Sequence, residues 1–250
     1  MRNFALLIAS MACGLSAPAA AQTYVYHEVV EEWVETSASR FVSSRLAEAE
    51  QNAIASYGPF RVLDDERAAL VGITTSYSPA QFAQLLANHP AIRTIEFLDC
   101  AGTHDDIANM QLGRMIRARG IATIVPEGGS VRSGAVELFL SGATREISEG
   151  AEFAVHAWMD DRGRGAWDYA EGAPEHQRYL DYYQEMGMDS EQATRFYAMT
   201  NSVPFESAMW LTGDEMRGWI AAPQANEPQI AEEQAQMPRL AYLDLGPALN

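Results

Sequence analysis

The spacing of hydrophobic residues changes character near position 60 of this 250-residue chain. Between residues 28 and 57, apolar side chains recur every three to four positions, which predicts an amphipathic helix ended by Gly58 and Pro59. We interpret residues 22–59 as a helical segment packed on the core, with an oligomerisation arm as the alternative.

From Phe60 onward, short apolar runs alternate with amphipathic segments. Residues 60–74 hold two strand-like runs around a polar stretch, which predicts a hairpin. Further strands are predicted at 92–98, at 121–125 and as a pair within 145–158; helices are predicted from Ser78, after Thr103, and at 133–142, 175–199 and 213–220. This alternation predicts one α/β domain over residues 60–222 with a mostly parallel sheet.

The first 21 residues have the pattern of a cleavable signal peptide. Arg2 supplies the positive charge, the apolar stretch 4–15 is too short to cross a membrane, and residues 19–21 are all alanine. We therefore expect cleavage near Ala21 and a periplasmic or secreted protein. Lipoprotein anchoring at Cys13 is a weaker alternative, because no leucine stands three residues before it.

Composition narrows the classes of function. With 17 basic against 34 acidic residues, the chain is expected to avoid nucleic acid and anionic lipid. All the basic residues are arginine, which excludes a lysine base and hence a Ser-Lys dyad. After signal cleavage only Cys100 remains, so no internal disulfide is expected. No later run is apolar enough to span a membrane, and residues 223–250 are predicted to form a polar tail.

Ser133 and His156 carry the candidate chemistry. Ser133 precedes Gly134 at the start of a predicted helix, and His156 follows 23 residues later in a strand-like run. A serine at a helix start and a nearby histidine can act as nucleophile and base. The simpler interpretations are a helix cap for Ser133 and a core position for His156. Ser130 is a weaker candidate nucleophile.

The order and spacing around this pair resemble the ClpP/crotonase superfamily, and within it the ClpP-like serine peptidases. The matching features are the turn Asp99-Cys100-Ala101-Gly102-Thr103 after a strand, Ser133-Gly134 opening a helix that ends at Gly142, and the segment from Arg145 to His156. The resemblance covers roughly residues 60–222 and implies a spiral of ββα units with a mostly parallel sheet.

The same resemblance implies roles for individual residues. Ser133 would be the nucleophile and His156 the base, and the N–H groups of Gly134 and Thr103, beside Gly102, would form the oxyanion hole. It implies a peptide or unfolded protein substrate, self-association into a homo-oligomer, and no cofactor. An ATPase partner is not expected, because an exported protein has no ATP supply.

The chain departs from the family pattern at two positions that bear on activity. Thr103 replaces a glycine, and the aspartate that orients the histidine, four residues before the residue opening the last helix, corresponds to Ala208. Glu206 is the candidate replacement, with Ser207 and Asn201 nearby. Without an orienting group, the alternative function is a catalytically weak or inactive binding or scaffold protein of the periplasm.

Two further readings of the sequence are weaker. His104, Asp105 and Asp106 form a compact group, but neighbouring acids on a helix do not share a face, so no metal is expected. We interpret Asp105 and Asp106 as favouring the N-terminus of a helix. An acyl-CoA enzyme of the crotonase type fits poorly with an exported, acidic chain that lacks lysine.

Overall fold

The computed structural model describes residues 44–221. The predicted signal peptide, the predicted polar tail and most of the first predicted helix lie outside these residues. Helix α1 spans Ser44–Asn52, and strand β1 at Ala55–Tyr57 pairs antiparallel with the next strand. The prediction of helix through residue 57 was therefore wrong at its end, because the N–H of Ile54 already bonds to Val62, at 2.8 Å, in the neighbouring strand.

Nine strands and seven helices follow one another along the described residues. After α1 and β1 these are β2 Phe60–Val62, β3 Arg67–Thr74, α2 Ser78–Asn88, β4 Thr94–Thr103, α3 Asp106–Ala118, β5 Ala122–Val125, β6 Ser130–Arg132, α4 Ala135–Leu140, β7 Arg145–Ile147, β8 Glu152–Val155, α5 Pro174–Glu185, α6 Ser190–Thr200, β9 Met209–Thr212 and α7 Gly213–Ile220. The predicted hairpin at 60–74 is formed by β2 and β3.

Strand β4 is the central strand of the sheet. It pairs in parallel with β3 on one side, while on the other its residues 94–96 pair with β5 and its residues 99 and 100 with β6. The sheet therefore divides into two branches, one continuing from β5 to β7 and the other from β6 to β8. Five of the eight strand pairings in residues 44–221 are parallel, which confirms the predicted α/β class with a mostly parallel sheet.

The main core lies between the sheet and helices α2, α3 and α4. Phe139 of α4 is fully buried, and its ring contacts those of Phe97 and Phe153, at centroid distances of 6.0 and 5.3 Å. Burying each such ring contributes about 1.5–3 kcal/mol. Helix α1 covers a second, smaller apolar cluster that contains Ala49 and Leu98. Together these contacts fix the ends of β4, β6 and β8, where the candidate residues lie.

The segment predicted as one helix at 175–199 forms two. Gly187 adopts a φ of +101°, a conformation that ends α5 and that glycine accepts without steric cost. The carboxylate of Asp189 then accepts from the N–H of Gln192 and begins α6. Thr212 caps α7 as predicted, in a reciprocal arrangement with Glu215. Every helix within residues 44–221 is too short or too polar to cross a lipid bilayer.

Candidate active site

Ser133 occupies a strained turn between β6 and α4. Its φ of +49° makes it the single non-glycine residue with positive φ among residues 44–221. Its N–H donates to the carbonyl of Ala154, at 2.8 Å, and its carbonyl accepts from the N–H of Val136, at 2.9 Å. Such backbone strain costs of order 1–3 kcal/mol and is typical of functional sites. The bond to Ala154 ties Ser133 to the strand that leads into His156.

The hydroxyl of Ser133 is not used to cap the helix. Residue Gly134 takes the cap position of α4, with no side-chain hydrogen bond, and the Ser133 Oγ bonds to none of the residues that the structure describes. Ser130, in contrast, is buried, and its Oγ accepts from Arg132 at 2.6 Å. The geometry thus distinguishes the two serines. The hydroxyl of Ser133 forms no hydrogen bond with the described residues, whereas the hydroxyl of Ser130 is bonded to Arg132.

Replacing Ser133 with glycine should give a more stable protein than replacing it with alanine. Alanine keeps the Cβ that makes a φ of +49° unfavourable, by about 1–2 kcal/mol, whereas glycine accepts this conformation. This advantage is partly offset, because glycine has more conformational entropy in the unfolded chain. We therefore expect a net difference of about 0.5–1 kcal/mol in the free energy of unfolding. Denaturant unfolding of the two variants measures it. Equal stabilities would show that the turn is not strained.

Gly102 and Thr103 lie against the Ser133 turn. Gly102 has a φ of +129°, and a Cβ added there would lie 2.9 Å from the Cβ of Ser133, so a larger residue would displace the serine. A Cβ on Gly134 would lie 2.4 Å from the Cγ2 of Thr103. The N–H of Gly134 bonds to none of the described residues, which leaves it available to an oxyanion. The structure therefore brings Gly102, Thr103 and Gly134 together at Ser133.

Asn109 supports this turn and was missed in the sequence. Its Nδ2 donates to the carbonyl of Gly134, at 2.6 Å, and its Oδ1 accepts from the hydroxyl of Thr74, at 2.8 Å. The residue is 2% exposed. A buried amide with both ends bonded fixes the orientation of the Gly134 peptide. The sequence did contain an indication of this role, because Asn109 is a polar residue next to Met110 on the side of α3 that faces the core.

His156 lies one residue beyond β8. Its Nδ1 is 2.9 Å from the carbonyl oxygen of Ala157; because a carbonyl only accepts, Nδ1 carries the proton and Nε2 is free to act as a base. The ring packs edge-on against Phe205, with centroids 4.9 Å apart. No hydrogen bond joins Ser133 to the His156 ring in residues 44–221, although both line one cavity. Such contacts often form only when substrate is bound.

The structure does not bring Glu206, the predicted orienting residue, to the ring of His156. Glu206 is exposed and does not line the cavity, and the partner of Nδ1 is the Ala157 carbonyl. The chain turns at residues 204–207, where the N–H of Ser207 donates to the carbonyl of Pro204, and this turn presents Phe205 to the ring instead. An uncharged carbonyl holds the tautomer of His156 but stabilises its protonated form less than a carboxylate would.

Two acid–tyrosine pairs line the same cavity, whose volume is about 530 Å³. The Asp106 carboxylate accepts from the hydroxyl of Tyr179, and Glu137 accepts from Tyr183, each at 2.7 Å. Burial raises the pKa of Asp106 above its ordinary value, and it raises the pKa of Glu137 to about 7, with the tyrosine hydrogen bond opposing the shift in both cases. Asp105 caps α3 through the N–H of Ala108, as its position predicted.

Glu137 should make stability depend on pH. Its pKa rises from 4.5 to about 7 on folding, so its contribution is fully present below pH 4.5 and is lost as pH rises through 7. Glu137→Gln keeps an acceptor for Tyr183 without the buried charge. The variant should therefore gain stability relative to the native protein between these pH values, by up to about 3 kcal/mol.

Unfolding titrations at pH 4.5 and pH 8 test this expectation. Glu171→Gln is the matched control. Because Glu171 is exposed, this substitution should change the free energy of unfolding by the same amount at both pH values. A stability difference between Glu137→Gln and the native protein that does not change with pH would contradict the assignment.

Within residues 44–221, no three His, Cys, Asp or Glu side chains are placed to hold a metal ion.

Comparison with known proteins finds similarity to solved structures. No protein-family model matches the sequence, and no curated protein matches it significantly. The chain is similar to a membrane-bound stomatin-specific protease, 1510-N, in complex with a substrate peptide, at 20% identity over 60% of this chain and 69% of the other, with a TM-score of 0.42. A structure of 1510-N from Pyrococcus horikoshii gives 20% identity, 60% and 67% coverage, and a TM-score of 0.40.

A ClpP1 variant from Listeria monocytogenes is similar at 17% identity over 62% of this chain and 88% of the other, with a TM-score of 0.43. The ClpP-like peptidases that the sequence pattern resembles are thus among the matched structures. At these scores the likeness is partial, and the chemistry of the site rests on its own residues.

Proposed function

We propose that the protein is a serine peptidase in which Ser133 is the nucleophile and His156 the general base. The observation that carries the proposal is the strained turn that presents an unbonded Ser133 hydroxyl to the cavity shared with His156. Nε2 of His156 takes the Ser133 proton as Oγ attacks the scissile carbonyl. The proton then passes to the leaving amine, and water attacks the resulting ester by the same route in reverse.

The oxyanion of each tetrahedral intermediate would accept from the N–H of Gly134, with the N–H of Thr103 as the second donor. Removing one such donor typically costs about 100- to 1,000-fold in rate. The contact between Thr103 and Gly134 supports this pairing, since it holds the two backbone segments side by side. Asn109 fixes the orientation of the Gly134 peptide by donating a hydrogen bond to its carbonyl, and so acts as a positioning residue.

Substrate, location and assembly complete the proposal. The substrates are peptides or loosely folded chains, the protein is exported after cleavage near Ala21, and it self-associates. The signal-peptide pattern supports export, and the family resemblance supports the other two. N-terminal sequencing of the exported protein and its mass in solution by light scattering test the location and the assembly.

Covalent labelling tests the chemistry. A serine-reactive fluorophosphonate should modify the native protein, with the adduct located on Ser133 by mass spectrometry. Ser133→Ala should not be labelled. Ser130→Ala is the matched control and should be labelled like the native protein, because Ser130 already bonds to Arg132. Equal labelling of Ser133→Ala and the native protein would refute the proposal.

A second candidate function is a binding or scaffold protein that retains the fold with little chemistry. It is favoured by one observation, that His156 is held by a backbone carbonyl and no carboxylate. A native protein that is not labelled, and that binds peptides equally well with or without Ser133, would favour this candidate over the peptidase.

A further inference from the structure

The cavity beside Ser133 is strongly acidic. Six carboxylic side chains and one guanidinium, that of Arg178, line it. Asp105 is occupied as the cap of α3, and Asp160 forms an ion pair with Arg164, at 2.9 Å. The four others are Asp106, Glu137, Asp161 and Glu175.

Arg178 does not neutralise this group. Burial raises the pKa of Asp106 and the positive charge of Arg178 only partly opposes that rise, while Arg178 forms no ion pair or hydrogen bond with any residue between 44 and 221. The Asp106 carboxylate bonds instead to the uncharged hydroxyl of Tyr179. The cavity therefore keeps an excess of negative charge close to the nucleophile, and a positively charged group entering it would gain energy.

Aromatic rings form another part of the wall. Trp158 and Tyr179 lie nearly parallel, 13° apart, with their centroids separated by 6.0 Å. The indole N–H of Trp158 donates to the hydroxyl of Tyr197, at 2.8 Å, which fixes the ring. Phe205 lies on the His156 side and is 44% exposed. Faces of aromatic rings attract cations, and arginine more often than lysine.

Asn201 gives an independent indication of what the cavity binds. It is 8% exposed, ends α6 and lines the cavity. Its Nδ2 donates to the carbonyl of Tyr197 and to the hydroxyl of Thr200, while its buried Oδ1 accepts no hydrogen bond from residues 44–221. An acceptor left without a donor is unfavourable, by about 1–3 kcal/mol. A ligand that brings N–H donors would satisfy it once the side chain turns this covered oxygen toward the cavity.

We propose that this cavity binds the cationic side chain of an arginine or lysine residue next to the scissile bond of the substrate. The inference rests on the proposed peptidase function and names its substrate class. Asp106 is the main partner of the cation, the rings of Trp158 and Tyr179 lie beside it, and Asn201 Oδ1 is a further acceptor. A guanidinium fits this set best, since it offers five N–H donors in one plane. An apolar side chain would leave the carboxylates desolvated and unpaired.

Binding tests the proposal without any need for turnover. The full chain carrying Ser133→Ala is titrated calorimetrically with N-acetyl-arginine amide and with N-acetyl-citrulline amide, which has nearly the same shape and no charge. The arginine compound should bind at least about tenfold more tightly, as expected for hydrogen bonds to a charged group. Equal affinities would overturn the proposal, and this comparison leaves the carboxylates and aromatic rings of the cavity unchanged.

Asp106→Asn locates the interaction. Asparagine keeps an acceptor for Tyr179, so the variant should lose about tenfold in affinity for the arginine compound and bind the citrulline compound as before. Asp65→Asn removes the same charge at an exposed position outside the cavity and should bind both compounds unchanged. An equal loss of affinity in both variants would overturn the assignment to the cavity, because it would show a general effect of net charge.

Cleavage separates this inference from the proposed function. The native protein is assayed with arginine and citrulline anilides of the same acyl group. Faster cleavage of the arginine anilide supports both proposals, and equal cleavage of the two keeps the peptidase but overturns the cation site. If neither is cleaved while Ser133→Ala still prefers the arginine amide, the peptidase proposal fails and the cation site stands.

Discussion

Replacing His156 with alanine is expected to lower kcat/KM for peptide hydrolysis by about 100- to 10,000-fold, the range that a general base contributes. No lysine can replace His156 as the base, because the chain contains none, and the Ser133 hydroxyl bonds to none of the described residues. The rate of fluorophosphonate labelling should fall with kcat/KM, since both reactions need the serine proton removed.

A double variant makes the test of His156 sharper. If the two residues act as one unit, Ser133→Ala with His156→Ala should be no slower than Ser133→Ala alone. His89→Ala is the control, since His89 lies at the end of α2 and packs on Tyr57 away from the cavity. Loss of activity that is the same in His89→Ala and His156→Ala would show that the effect is structural.

Introducing an aspartate at position 208 is expected to increase activity by about 10- to 100-fold. Val155 and Met209 form the last pair in the antiparallel ladder of β8 and β9, and continuing this register by one residue would bring Ala208 opposite His156. Side chains at such positions lie about 4.5–5.5 Å apart at Cβ, within reach of a carboxylate. The aspartate would replace the Ala157 carbonyl at Nδ1 and stabilise the imidazolium formed in the reaction.

Ala208→Asn is the matched control for this gain. Asparagine has the same size and can accept from Nδ1, but it lacks the charge, so most of the increase should be absent. Rates of hydrolysis and of labelling report the two variants. If Ala208→Asp is no faster than the native protein, the orientation of His156 does not limit the reaction, and the weak-chemistry candidate loses its main support.

The fold followed largely from local patterns. The hairpin at 60–74, the buried strand near 121–125 and the cap at Thr212 were predicted because turns, strands and caps depend on neighbouring residues. The two errors in the predicted helices also had causes close in the sequence. The helix predicted to residue 57 ended early because β2 offers a hydrogen-bonded partner to Ile54, and Gly187 divided the helix predicted at 175–199.

The residues around Ser133 were predictable for a similar reason. A serine before a glycine at the start of a helix, and a glycine at position 102 where no Cβ fits, are short-range requirements of one turn. What the sequence did not determine was the partner of each polar group. Tyr179 bonds to an acid 73 positions away and Tyr183 to one 46 positions away.

The sequence by itself determined the α/β class, most of the strands and helices between residues 60 and 220, the position of Ser133 at the start of a helix and the absence of a lysine base. Only the tertiary structure decided that His156 bonds to the Ala157 carbonyl, that Glu206 is exposed outside the cavity, and that six acidic residues line the cavity beside the nucleophile. The physical reason is that backbone conformation is set by neighbours in the chain, whereas burial, pKa and hydrogen-bond partners are set by neighbours in space.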